Sequence, residues 1–151
     1  MRRIVLYSIL SLSLLNGCSK KDTPAPVVKT KTQLLTEKDW ILVLHQEKPS
    51  SASTYTDLTS QYRACDRDNR FVFYISGVFE ENEGAVRCSG NSQIVETGIW
   101  SFQQNETKIR FVMPSGTTTA TIETLSATSL VITYTGLVNG VSYDGRQSFS
   151  H

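Results

Sequence analysis

Thr107-Lys108-Ile109-Arg110-Phe111-Val112-Met113, followed by Pro114-Ser115-Gly116, decides the fold class. Ile109, Phe111 and Met113 alternate with Lys108, Arg110 and Val112, the two-residue period of a half-buried strand, and Pro-Ser-Gly ends the run as a turn. Similar runs lie on both sides. Upstream, residues 94–103 place Gly98, Trp100 and Phe102 on one face. Downstream come residues 117–125 and 129–138, and Asn139-Gly140, a strong hairpin signal, leads into residues 141–149. Earlier still, residues 40–46 put Trp40, Leu42 and Leu44 on one face, and residues 70–76 and 77–82 flank a Ser76-Gly77 turn. Sustained 3.6-residue periodicity is missing after the N-terminal leader, so the fold is expected to be all-β.

Eight sequential strands joined by short turns predict an eight-stranded up-and-down antiparallel barrel, since closure removes both sheet edges. A two-sheet sandwich has the same periodicity and stays open as the alternative. The longest connection covers residues 47–69. Its 55–62 portion suits a short helix, capped by Thr54 or Thr56, across one mouth of the barrel.

The N-terminus reads differently. Met1-Arg2-Arg3 is basic, and residues 4–15 form an apolar stretch of 12 residues, too short to span ~30 Å of hydrocarbon. Leu15-Asn16-Gly17-Cys18 then resembles the bacterial lipobox, with Asn16 its one atypical position. Residues 1–17 are read as a lipoprotein signal peptide. Cys18 becomes the first residue of a 134-residue mature chain, held in the membrane by several palmitate-type acyl chains. A plain secretory signal with a chance cysteine is the alternative. Ser19 after the cysteine favours the outer membrane, by resemblance to the lipoprotein sorting rule. Residues 18–33 contain two prolines, four lysines and no aromatic residue, the composition of a disordered tether. Fifteen such residues reach roughly 50 Å.

Residues 34–151 form the single domain, with nine basic against thirteen acidic side chains, a net of −4. That balance excludes a basic stripe for nucleic acid. The membrane is expected to be reached through the N-terminal lipid only, and a monomer is expected. Of three cysteines, Cys18 takes the lipid, which leaves Cys65 and Cys88 to pair in an oxidising compartment. A hairpin centred on Ser76-Gly77 pairs positions whose numbers sum to about 153, and 65 and 88 sum to 153, so the register brings the two sulfurs near one another.

The sequence resembles the lipocalin-like domain lipoproteins of Bacteroidota-type bacteria. The resemblance runs from Trp40 through Cys65-x-x-Asp68-Asn69-x-Phe71-x-Phe73 and Gly77 to Cys88 and Gly98-x-Trp100-x-Phe102, over nearly all of residues 34–151. It implies a lipocalin-like barrel behind a lipid anchor and little about activity, because the shared positions are structural. Ser76-Gly77 stands where the family more often has Asp-Gly.

Chemistry is sparsely signalled. Gly90-Asn91-Ser92-Gln93-Ile94 departs from the nucleophile-elbow pattern G-x-S-x-G at its last position. The histidines are His45 and the terminal His151, and His45, out of phase with Trp40, Leu42 and Leu44, is expected to face solvent. No enzyme, cofactor or metal is expected. Asp66-Arg67-Asp68-Asn69 and Glu80-Glu81-Asn82-Glu83 could hold calcium. Arg67, Arg70 and Arg87 favour reading them as salt-bridged surface, with Asp68-Asn69 in local turn hydrogen bonds. Asn105-Glu106-Thr107 matches a glycosylation sequon by chance.

The inward residues are the remaining candidates for binding: Trp40, Phe71, Phe73, Trp100, Phe102, Phe111, Tyr134 and Tyr143. An eight-stranded barrel is either filled by such side chains or able to hold one small ligand. The two readings are left open, with Tyr134 and Tyr143 as hydroxyls that would orient an apolar guest. The expected function is binding of a small hydrophobic or amphipathic ligand by a lipid-anchored outer-membrane protein. The alternative is a protein-binding module, an inhibitor or an accessory subunit of an envelope complex, acting through its loops.

Overall fold

A computed structural model describes residues 28–90 and 92–151. The leader, Cys18 and most of the tether lie outside the described residues. The described residues form one α-helix, α1 (Lys31–Thr36), and nine strands: β1 (Trp40–Pro49), β2 (Thr56–Asp57), β3 (Arg70–Phe73), β4 (Val78–Asn82), β5 (Ile94–Gln103), β6 (Lys108–Met113), β7 (Gly116–Leu125), β8 (Ser129–Val138) and β9 (Val141–Ser150). Strands β3 to β9 pair in sequence order, each antiparallel to the next, and β9 returns to β1 over Ile41↔Ser150 to Pro49↔Tyr143. The result is a closed eight-stranded up-and-down barrel, with β2 a short addition at the far end of β1. Closure excludes the sandwich.

One end of the barrel is plugged. Thr30 caps α1 through a capping box, accepting from the Gln33 backbone while the Gln33 side chain accepts from the Thr30 N–H. This delivers Leu35, fully buried, to the base of the core, where its carbonyl accepts from Trp40 Nε1 at 3.0 Å. The helix starts inside the stretch that composition assigned to the tether. Six residues with one buried apolar side chain offer no period to read. Above the plug, Phe73 meets Trp100 edge-on at 5.9 Å and Phe79 meets Phe111 at 5.4 Å, and these rings fill the lower half of the interior.

The wall has one weak seam. β1 pairs with β3 only at Trp40↔Phe71 and Ile41↔Arg70 and then diverges. The connection expected to lie across a mouth instead closes this gap. β2 pairs with Gln46 and Glu47, and a single 3-10 turn (Thr59–Gln61), with Leu58 rather than Thr54 or Thr56 at its N-cap, replaces the expected helix. The Thr59 hydroxyl accepts from the His45 N–H, and the Leu58 N–H donates to the His45 carbonyl.

Cys65 and Cys88 form a disulfide with Cα atoms 5.2 Å apart. The β3–β4 ladder has Phe73↔Phe79, Phe71↔Glu81 and Arg70↔Asn82, one residue off the expected register, and it ends at Arg70. The bond therefore joins two loops beyond the ladder, fixing the seam-closing segment to the loop after β4.

Candidate functional site

The upper half of the barrel is hollow. A cavity of about 280 Å³ opens at the end defined by Met113, Gly136 and Tyr143. Phe71, Phe73, Phe79, Phe111, Leu130 and Phe149 form its floor and lower wall, and Glu81, Glu96, Thr118, Tyr134, Tyr143 and Gln147 supply polar groups above them. The residues expected to face the interior do so, and of them Phe71, Phe73, Phe111, Tyr134 and Tyr143 line the cavity. Trp40, Trp100 and Phe102 belong to the plugged end and do not reach the cavity. The Trp100 indole is tied there by a 3.0 Å bond from Nε1 to the Tyr74 carbonyl.

Two glycines keep the mouth open. Tyr134 is paired with Gly145 and Tyr143 with Gly136 across the β8–β9 ladder. A β-carbon on Gly145 would lie 2.2 Å from Tyr134 Cζ, and one on Gly136 would lie 2.4 Å from Tyr143 Cζ. Each ring thus occupies the space that a side chain on its glycine would fill. The two rings meet edge-on at 6.3 Å.

His45 faces inward, contrary to expectation. A bulge between Leu42 and Leu44 inserts Val43 into β1, so Leu42 opposes Phe149 and His45 opposes Gln147 on the interior face, while Leu44 turns outward opposite Ser148. His45 is 9% exposed. Its Nδ1 lies 2.8 Å from the Tyr62 hydroxyl, and its Nε2 lies 2.9 Å from the Tyr134 hydroxyl and 3.2 Å from Glu47 Oε1. In a self-consistent assignment Tyr62 donates to Nδ1, Nε2–H donates toward Glu47 and Tyr134, and the Tyr134 hydroxyl donates to Glu47. Burial pushes the Tyr134 phenol far above its ordinary range, with Glu47 adding to the effect, and burial likewise raises Tyr62. Both therefore stay neutral. With both ring nitrogens engaged, the imidazole ties β1 to β8 and to the seam-closing segment.

The two acidic runs are not a uniform salt-bridged surface. Glu80 points outward and accepts from the Tyr74 hydroxyl at 2.9 Å, whereas Glu81 points inward and lines the cavity. Asn69, 1% exposed, donates Nδ2 to Glu81 Oε1 at 2.8 Å. Asp68 accepts from the Val86 N–H, and Glu83 accepts from the Cys88 N–H, each at 2.9 Å. Arg63 is bidentate to Asp66 at 2.7 and 2.8 Å and holds that carboxyl below its usual range. Arg67 instead donates to the Ser60 and Tyr62 carbonyls, and Arg70 approaches Asp39 at 3.8 Å. Cys65, Asp66 and Cys88 bring ligand-type atoms within 4.8 Å, but both sulfurs are consumed by the disulfide and offer no thiolate.

Sequence reasoning missed Glu81 and Glu96 as cavity residues, and left Met113, which alternation places inward, off the binding candidates. A signal for each was present. Glu81 is in phase with Phe79, Glu96 with Gly98 and Trp100, and Met113 with Phe111.

No family model and no curated protein matches the chain. Among solved structures, it is similar to a deswapped triple mutant of bovine odorant binding protein, at 16% identity over 76% of this chain and 72% of that one, with a TM-score of 0.44. It is also similar to bovine odorant binding protein in complex with a selenium-containing odorant, at 14% identity over 85% of this chain and 76% of that one, with a TM-score of 0.48. The barrel itself is established by the closed ladder from β1 through β9 to β1, independently of either similarity.

Proposed function

We propose that this protein is a lipid-anchored outer-membrane lipoprotein, tethered through Cys18, whose lipocalin-like barrel binds one small amphipathic molecule. The observation that carries the binding reading is the cavity of about 280 Å³ with an aromatic floor and a polar upper wall. Apolar shape complementarity below and a few directed polar groups above are what a small-molecule site requires. An apolar cavity of about 150 Å³ accommodates benzene, so the guest has roughly twice that bulk. Haem and long-chain lipids exceed it.

Titration with 1-aminoanthracene, a neutral fluorescent apolar probe, tests this reading. Saturable uptake at one site per chain is expected, and Ala120→Phe, which fills the cavity from a residue 1% exposed on its wall, should abolish it. Uptake by the folded variant equal to wild type would place the probe elsewhere and overturn the reading.

A further inference from the structure

The cavity has an electrostatic character that its shape alone does not require. Glu81 and Glu96 are direct partners across the β4–β5 ladder, and both line the cavity. Like charges directly opposite on one face of a sheet repel. None of the lining residues is Lys, Arg or His, and neither glutamate forms an ion pair with a described residue. Their partners are neutral: Asn69 donates to Glu81, and the Ser115 hydroxyl donates to Glu96 at 2.9 Å. Burial raises the Glu81 carboxyl, and the charges acting on it, Glu96, Asp66 and Glu83, are all acidic and push the same way. A second shortage accompanies the charge. Asn69 Oδ1, on the same buried amide that holds Glu81, has no hydrogen-bond partner. Asn69 is not itself among the residues that line the cavity, whose wall here presents two carboxylates and no cation.

We propose that the guest is a small amphipathic amine, its protonated nitrogen held by Glu81 and Glu96 and its apolar body against Phe71, Phe79 and Phe111. The assignment rests on the reading of the cavity as a ligand site and adds the charge class of the ligand. An ammonium group supplies both what the pair lacks, a positive charge in a weakly solvated place, and three donors for oxygens that have few. The aromatic floor favours a cation further. A carboxylate guest such as a fatty acid would add a third negative charge to the same wall.

Three compounds of one shape separate the terms: 4-phenylbutylamine, 4-phenylbutanol and 4-phenylbutanoate, each competing against 1-aminoanthracene at pH 7.5. The amine should displace the probe at a concentration at least about tenfold lower than the alcohol, with the acid weakest. In Glu81→Gln/Glu96→Gln, where the glutamine carbonyl still accepts from Asn69, the amine should fall to within about threefold of the alcohol while the alcohol binds as before. If the double variant does not fold, Glu96→Gln alone should narrow the gap at least about threefold. Equal binding of amine and alcohol by the wild type would overturn the amine assignment and leave the cavity reading standing. Failure of the probe and all three compounds would overturn both. Millimolar calcium that stabilises the wild type through the two glutamates and blocks the amine would make the pair a metal site and also overturn the assignment.

Discussion

Tyr134 covers Gly145 so closely that a methyl group on the glycine would sit 2.2 Å from the ring carbon bearing the hydroxyl. The ring cannot slide aside without leaving His45, which lies 2.9 Å from that hydroxyl. Gly145→Ala should therefore drive the ring into the mouth of the cavity. Overpacking of this kind costs ~1 to 3 kcal/mol, and probe binding should weaken by about tenfold or more. Urea melts and 1-aminoanthracene titration of the same variant check both outcomes.

The His45 cluster predicts an unequal pair of costs. Tyr62→Phe removes one hydroxyl and one hydrogen bond, for ~1 kcal/mol. His45→Leu leaves the Tyr62 and Tyr134 hydroxyls and the Glu47 carboxylate short of a partner, and should cost ~3 kcal/mol. A double-mutant cycle between His45 and Tyr62 should show clear coupling. Additive effects would mean that the imidazole does not tie the seam-closing segment to the barrel.

Glu81 predicts a pH dependence of stability with a definite sign. Its carboxyl is raised in the folded state above the ordinary 4.5, chiefly by burial, so the native state holds the proton more tightly than the unfolded chain does. Stability attributable to this group is full below pH 4.5 and is lost as pH rises through the folded-state value. Glu81→Gln should accordingly be more stable than wild type at pH 7.5, with the advantage shrinking toward pH 4.5. Denaturant midpoints across that range would reveal it, and a constant difference would contradict it.

The two kinds of cysteine should separate cleanly. Cys65→Ser/Cys88→Ser opens a loop with a sequence separation of 23 and should cost ~3 kcal/mol, loosening the seam-closing segment while export and lipidation continue. Cys18→Ser should leave the melting temperature unchanged and release the protein from the membrane. Thiol labelling under denaturing, non-reducing conditions gives a rapid check, since two reactive thiols in mature protein would contradict the disulfide.

Strand identities were legible because most strands keep strict alternation. β5 and β8 have the bounds that pattern and turn residues indicate, and Asn139-Gly140 turns with φ of +50° and +78° as its residues demand. What could not be read depended on departures from the period. Val43 adds one residue to β1 with no glycine or proline to announce it, which reverses the facing of Leu44 and His45. The thin β1–β3 seam follows from strand divergence, a global property invisible to local patterning. Whether the interior is filled or hollow depended on the layer each aromatic occupies. Trp40, Trp100 and Phe102 crowd one end, while Gly136 and Gly145 spare the other.

The hollow upper barrel is the central claim, and Met113 reports on it directly. It lines the cavity, and Met1 and Met113 are the only methionines in the chain, so methyl labelling of methionine with Met113→Leu for assignment isolates its signal. Titration with 4-phenylbutylamine should move the Met113 methyl resonance saturably through the ring current of the guest, and Ala120→Phe should suppress the movement. A resonance that stays fixed through millimolar amine, alcohol and acid alike while the protein remains folded would contradict a ligand-binding cavity.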